Sequence, residues 1–207
     1  DMRKGTTPMG AIETMMIVTG YAQVAKSLKL PTHAYMGLSD SKANDSQAGL
    51  ETGIGAVLAA LSGINVVSGP GMMDFESCQS LEKLVVDNEI CSMAYRLIEG
   101  ISQREDLLAL PLFQTVSSDM EFLTHPHTRK WMRQEHIYPN IIDRDTYDAW
   151  VSLGEKSLAT RAHEEVVRIL NETEPAWASD NIRRDLQDII LSDAEANGIK
   201  SIPQLKV

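Results

Sequence analysis

Long apolar runs are missing from this 207-residue chain, and none approaches the roughly 20 residues needed to cross a bilayer. A membrane-spanning protein is therefore not expected. No basic N-region followed by an apolar block opens the chain, so no secretion signal is read and a cytoplasmic location is expected. Cysteine is scarce. Cys78 and Cys91 lie 13 apart, and in a cytosolic chain such a pair is read as packing residues, with a disulfide or ligand pair as the alternative. Basic residues are in deficit: 19 against 29 acidic ones, a net charge of -10. A surface that acidic repels phosphate backbones, which argues against nucleic acid and mildly favours a cationic ligand. Position 1 is Asp, not an initiator Met, and "DMRKGTTPMG" enters at once into loop-like sequence, so a piece of something longer is expected.

What is present is a core's worth of apolar residues, 43% of the chain, in an alternating pattern. Residues 10–30 place Ile12, Met15, Met16, Thr19, Ala22 and Val24 at helical spacing. Residues 31–38, "PTHAYMGL", read as a buried strand, and a dense polar stretch follows. Residues 48–63 are small and apolar nearly all round, a buried helix with Gly63 as its C-cap. "INVVSG" (64–69) is a second strand, and "PGMMDFESC" a loop. Residues 80–100 form a long helix with a stripe of Leu81, Leu84, Val85, Asn88, Cys91 and Tyr95. Helix and strand in alternation imply an α/β fold with parallel strands, and two strands alone make a poor sheet. After about residue 102 charge rises and glycine becomes rare. No convincing strand follows. Residues 125–154 mix short helices with proline breaks, and helices are expected over 155–173 and 179–198, the last capped by Ser179 or Asp180 and stopped by Gly198.

In parallel α/β folds ligands bind where strands end. Both such loops are unusual. "GLSDSKANDSQAG" (37–49) carries Asp40, Lys42 and Gln47. "SGPGMMDFESCQS" (68–80) turns on Gly69, Pro70 and Gly71, then carries Met72, Asp74, Phe75 and Glu76. Solvated loops need polar residues anyway, so a bland reading stands beside the functional one. Asp40 and Lys42 could be a solvated pair, and Glu76 could favour the cap of the next helix. Met15-Met16 is read as helix core and Met72-Met73 as lining a loop mouth. His125, His127 and His136 lack metal-ligand spacing, so no bound metal is expected. No dinucleotide fingerprint, nucleophile elbow or phosphate-cradling loop is present.

"KGTTPMG", "GLSDSKANDSQAG", "SGPGMMDFESCQSLEKLVVDNEI" and "HEEVVRIL" together resemble the C-terminal part of the trimethylamine:corrinoid methyltransferase family. The resemblance implies the last strands of a (β/α)8 TIM-type barrel over residues 1–101 and a mainly helical extension over 102–207. In members that demethylate trimethylamine, a pyrrolysine occupies the position matching Leu38; here a leucine stands there. That departure resembles the glycine-betaine-type branch. The implied reaction moves a methyl group from a quaternary amine to the Co(I) corrinoid (cobalamin) of a cognate corrinoid protein. Such an amine already carries its leaving group as a neutral tertiary amine, so no proton donor is needed. Tyr35, Leu38, Asp40, Asp74 and Phe75 are the implied substrate contacts, and Lys42, Gln47, Met72 and Glu76 the implied loop and pocket support. A homo-oligomer is expected. The alternatives are a methyltransferase for trimethylamine or another methylated amine, and a non-catalytic oligomerisation or corrinoid-protein docking fragment. The isolated chain is expected to be inactive.

Overall fold

The computed structural model describes residues 1–103, 109–115, 117, 121–172 and 179–199. It is rich in helix and poor in strand. Helix α1 (Ile12–Ser27) leads into β1 (His33–Ala34), α2 (Ser46–Ser62) and β2 (Val66–Val67). A small hairpin, β3 (Met72–Met73) and β4 (Cys78–Gln79), precedes α3 (Leu81–Glu99). Helices α4 (Leu110–Thr115), α5 (Pro126–Glu135), α6 (Tyr147–Ser152), α7 (Leu158–Glu172) and α8 (Asp180–Ala196) follow. Residues 1–168 form one compact unit and 169–207 a second.

Both expected strands form and pair in parallel, with His33 opposite Val66 and Ala34 opposite Val67. Each is two residues long, shorter than the segments 31–38 and 64–69 read as strands. Flanking bonds from Val66 N to Thr32 O (3.1 Å) and from Ser68 N to Ala34 O (2.9 Å) extend the ladder slightly. The strand pattern is a clean alternation. Ala34 and Met36 are buried against α1 and α2, in a core with Met15 and Ala59, while His33, Tyr35 and Val66 are exposed on the opposite face. The hairpin was not anticipated, because its two-residue strands sit inside a segment that reads as a plain loop after Gly69, Pro70 and Gly71.

The helices obey their capping chemistry. Asp45 caps α2 by accepting from the Gln47 and Ala48 amides, and Gly63 ends it in the left-handed conformation. Ser80 Oγ accepts from Lys83 N at the start of α3. The predicted apolar stripes need correction, however. On α1, Met15 and Ala22 are buried, but Met16 is 65% exposed and Ile12 and Val24 are also open. On α3, Leu81, Leu84 and Tyr95 are exposed, and the buried face instead carries Lys83, Val86, Asp87, Glu89 and Ala94. Charged residues were counted as surface; here Lys83 and Asp87 satisfy each other inside, on a face other than the predicted stripe.

A second core joins Val86 of α3 to Ile141 and Ala162. Both cysteines are free. Cys91 is half-buried, and burial pushes its thiol upward; Cys78 is exposed on β4, so a packing role holds for Cys91 alone. His125 caps α5 by accepting from His127 N at 3.1 Å. Among the described residues no group of three or more His, Cys, Asp or Glu could hold a metal, and no helix is long and apolar enough to cross a membrane. The expected helix over 155–173 begins later, at Leu158, and Thr173 lies outside the described residues. In the second unit α8 starts after Ser179, and Gly198, with φ +74°, follows its end.

Candidate functional site

The two loops that leave the carboxyl ends of β1 and β2 meet. Ser39 N donates to Met72 O (3.2 Å), and Asp74 N donates to Ser41 O (3.1 Å). The second loop must pass very close to the first. A β-carbon on Gly69 would lie 1.9 Å from Met36 O, so only glycine permits that approach. Gly71, at φ +86°, turns the chain again, and its amide donates to Asp87 Oδ2 at 2.7 Å.

Behind this turn sits a fully buried network. Lys83 (0% exposed) pairs with Asp87 (1%), and Lys83 Nζ also donates to Thr52 Oγ1 at 2.7 Å. One carboxylate oxygen therefore ties α3 to the loop, and one ammonium ties α3 to α2. Burial raises the Asp87 carboxyl above its ordinary value, while the Lys83 and Gly71 donors oppose that rise.

The first loop is folded just as tightly. Glu51 of α2 accepts from Ser39 Oγ (2.6 Å), Asp40 N (2.9 Å) and Gln47 Nε2 (2.9 Å). The Asp40 carboxylate is buried and accepts from Gly10 N at 2.8 Å. Burial pushes its proton affinity up, the Gly10 amide pulls it down, and the neighbouring Glu51 charge pushes it up again. Asp40 and Lys42 are thus no solvated pair. Lys42 Nζ donates to the Asp40 carbonyl oxygen (2.7 Å), pairs with Asp74 Oδ1 (3.0 Å), and stands 3.6 Å from the centre of the Phe75 ring.

Asp74, Phe75 and Glu76 all have positive φ (49°, 56° and 72°), an arrangement that costs about 1 kcal/mol or more per residue for non-glycines. Such strain persists only where the surroundings impose it, and here the cross-loop bonds do so. Glu76 is half-buried, and its Oε1 has no hydrogen-bond partner. Burial and then the Asp40 charge raise its carboxyl above the ordinary range. It does not cap α3; Ser80 does, with Glu82 in the first turn.

Leu38 is 1% exposed, stands at the start of the first loop and carries no ionisable group. Met72 contributes its carbonyl to Ser39, and Gln47 braces Glu51. Tyr35 stands apart on the open face of the sheet, where its ring meets His33 edge-on at 5.2 Å. So the loops bring Asp40, Lys42, Asp74, Phe75 and Glu76 into one constellation and leave Tyr35 outside it. Sequence reasoning missed Glu51 and the Lys83–Asp87–Thr52 network. The i, i+4 spacings of Gln47 to Glu51 and Lys83 to Asp87 were the available signals.

A cavity of about 750 Å³ is lined by other residues, among them Trp150, Lys156 and Arg161. Two of its polar groups bond within the chain: Trp150 Nε1 donates to Lys156 O (3.2 Å) and Arg161 Nε to Ile141 O (2.6 Å). That is the chemistry of a structural joint, and the loop constellation is the better candidate.

Comparison with known proteins agrees with the sequence resemblance. The family described as trimethylamine methyltransferase (MTTB) matches residues 1–197. A trimethylamine methyltransferase MttB from Methanosarcina thermophila is 37% identical over 187 residues, 90% of this chain and 38% of the relative. One from Desulfitobacterium hafniense (strain DSM 10664 / DCB-2) is 30% identical over 199 residues, 96% of this chain and 40% of the relative. A glycine betaine methyltransferase from Desulfitobacterium hafniense (strain Y51) is 33% identical over 193 residues, 92% and 40%. The chain thus spans about two fifths of the length of these relatives.

Proposed function

We propose that this chain, which belongs to the trimethylamine methyltransferase family, acts within a longer enzyme that demethylates a quaternary amine such as glycine betaine. Residues 1–101 supply terminal βα units of a (β/α)8 barrel, and 102–207 a helical extension. The acceptor is a corrinoid carried by a partner protein, which supplies a Co(I) nucleophile for the methyl group. A cytoplasmic homo-oligomer completes the reading.

The observation that carries it is the loop constellation. Parallel β1 and β2 deliver two loops to one rim, where Asp74 and Phe75 both meet Lys42 and the Asp40 charge acts on Glu76. Carboxylates and an aromatic face are what a permanent cation binds to. Leu38, buried at the start of the first loop, offers bulk and no reacting group, which suits a substrate whose nitrogen leaves as a neutral tertiary amine. The work left to the protein is to hold the cation, orient one N-methyl outward and keep water away. Lys42 is exposed and Asp74 half-buried at this rim, so it fits a corrinoid presented from outside by a partner.

Trimethylamine is the second reading. The Methanosarcina relative named for it is 37% identical, against 33% for the relative named for glycine betaine. That margin is spread over nearly the whole chain, whereas Leu38 sits at the site itself. A non-catalytic docking role has less support, because Glu51 ties down Ser39 and Asp40, and Asp74 is bonded across to Ser41 of the other loop. The test is methyl transfer by the full-length protein with its corrinoid partner, offered glycine betaine, proline betaine, carnitine and trimethylamine. We predict turnover of a quaternary amine and none of trimethylamine; activity on trimethylamine alone rejects the proposal.

A further inference from the structure

The geometry points to a cation cage at the loop rim that Lys42 itself fills, and we infer that a zwitterionic methylated ammonium enters by displacing this side chain. The ligand class rests on the proposed function; the cage rests on the loop geometry. Three surfaces converge on Lys42 Nζ: Asp74 Oδ1 at 3.0 Å, the Asp40 carbonyl at 2.7 Å and the Phe75 ring centre at 3.6 Å. At that distance no second cation shares the same face of the ring.

The walls are fixed and the occupant is not. Asp74 and Phe75 are held in left-handed conformations, Asp74 N is bonded across to Ser41 O (3.1 Å), and Asp74 O accepts from Ser77 N (2.9 Å). Lys42 is an exposed side chain on a four-carbon stem. Lys42 is therefore an intramolecular competitor, and the affinity of the cage for any outside cation is lowered by the fraction of time it is plugged. A quaternary ammonium has no N–H, so it gains the ring and the Asp74 charge but nothing from the Asp40 carbonyl.

Once displaced, the Lys42 ammonium remains tethered at the mouth of the cage without its former partners. A ligand that carries a carboxylate a few bonds from its quaternary nitrogen gives that ammonium a new one. A simple tetraalkylammonium does not. Lys42 thus serves as a specificity residue, which penalises bare cations and accepts betaines.

The experiment is calorimetric titration of the full-length protein with glycine betaine and with tetramethylammonium, in wild type, Lys42→Met, Lys42→Arg and Phe75→Leu. Thermal melts confirm that each variant is folded. Lys42→Met should tighten tetramethylammonium binding by about tenfold and shrink the preference for glycine betaine. Lys42→Arg, which keeps a cation on the stem, should retain the wild-type preference, and Phe75→Leu should weaken both ligands. Unchanged or weaker tetramethylammonium binding in Lys42→Met overturns the inference, as does indifference to Phe75→Leu. Because only binding is read, the cage can fail while methyl transfer to the corrinoid stands, and the reverse.

Discussion

Replacing Lys83 with methionine should reveal how much of the site depends on a buried charge. In the native chain its ammonium meets Asp87 and Thr52 with no exposure to solvent. Methionine nearly matches the lysine stem in volume, so packing is preserved and the loss is electrostatic. Two hydrogen bonds disappear, and Asp87 is left buried with the Gly71 amide and the Thr52 hydroxyl as its remaining donors. Breaking one side of such a pair costs about 3–5 kcal/mol. The deficit carries a pH signature. The Asp87 carboxyl is already raised by burial, and without Lys83 it rises further. For an acid whose folded value exceeds its unfolded one, the stability contribution is complete below the unfolded value of 3.8 and is lost as pH climbs through the folded value. Urea unfolding of the full-length Lys83→Met protein should therefore show a small deficit near pH 4 and the full one at pH 7. The double variant Lys83→Met/Asp87→Leu should recover part of the loss, but not all, since the Gly71 amide then lacks an acceptor, at about 1–3 kcal/mol. A single variant as stable as wild type at pH 7, or a deficit flat across pH, refutes the argument.

Glu76→Gln should stabilise the protein at neutral pH by about 1 kcal/mol, because it removes a half-buried charge that lacks a partner at Oε1 and is repelled by Asp40. The gain should vanish as pH falls below the ordinary glutamate value of 4.5, where the native group is protonated; a gain that persists there contradicts the assignment. Gly69→Ala should cost about 1–3 kcal/mol or more, since the new methyl collides with the Met36 carbonyl 1.9 Å away, and it should reduce substrate turnover as well. An alanine variant with wild-type stability would mean that the two loops do not approach so closely.

Apart from the β3–β4 hairpin, the order of elements through α3 was legible in the sequence because it rests on strong local signals. Pro31 ends one helix region, Gly63 ends the next, and the Val66–Val67 pair marks a strand. What was misread was the face each helix buries. Periodicity counts apolar residues, and α1 carries them on more than one side: Met15 points into the core while Met16 does not. On α3 the misreading had a different source. Lys83 and Asp87 score as surface one at a time, and only their pairing at i, i+4 makes the burial tolerable.

The same distinction between single residues and pairs governs the site. The sequence could show that two consecutive strand ends carry carboxylates, and the structure places Asp40, Asp74 and Glu76 on one rim. It could not show which partners those groups choose. Asp40 looked like the natural companion of Lys42 two residues away, yet its carboxylate turns inward to the Gly10 amide and leaves the lysine to Asp74 across the gap. That exchange follows from Glu51, which takes up Ser39 Oγ and the Asp40 amide and so sets the direction of the whole loop. A helix residue 11 positions downstream of Asp40 thereby decides where a loop lysine rests. Three left-handed residues in a row then follow as a consequence, since the second loop can present Asp74 and Phe75 to that lysine only by turning against the ordinary backbone preference.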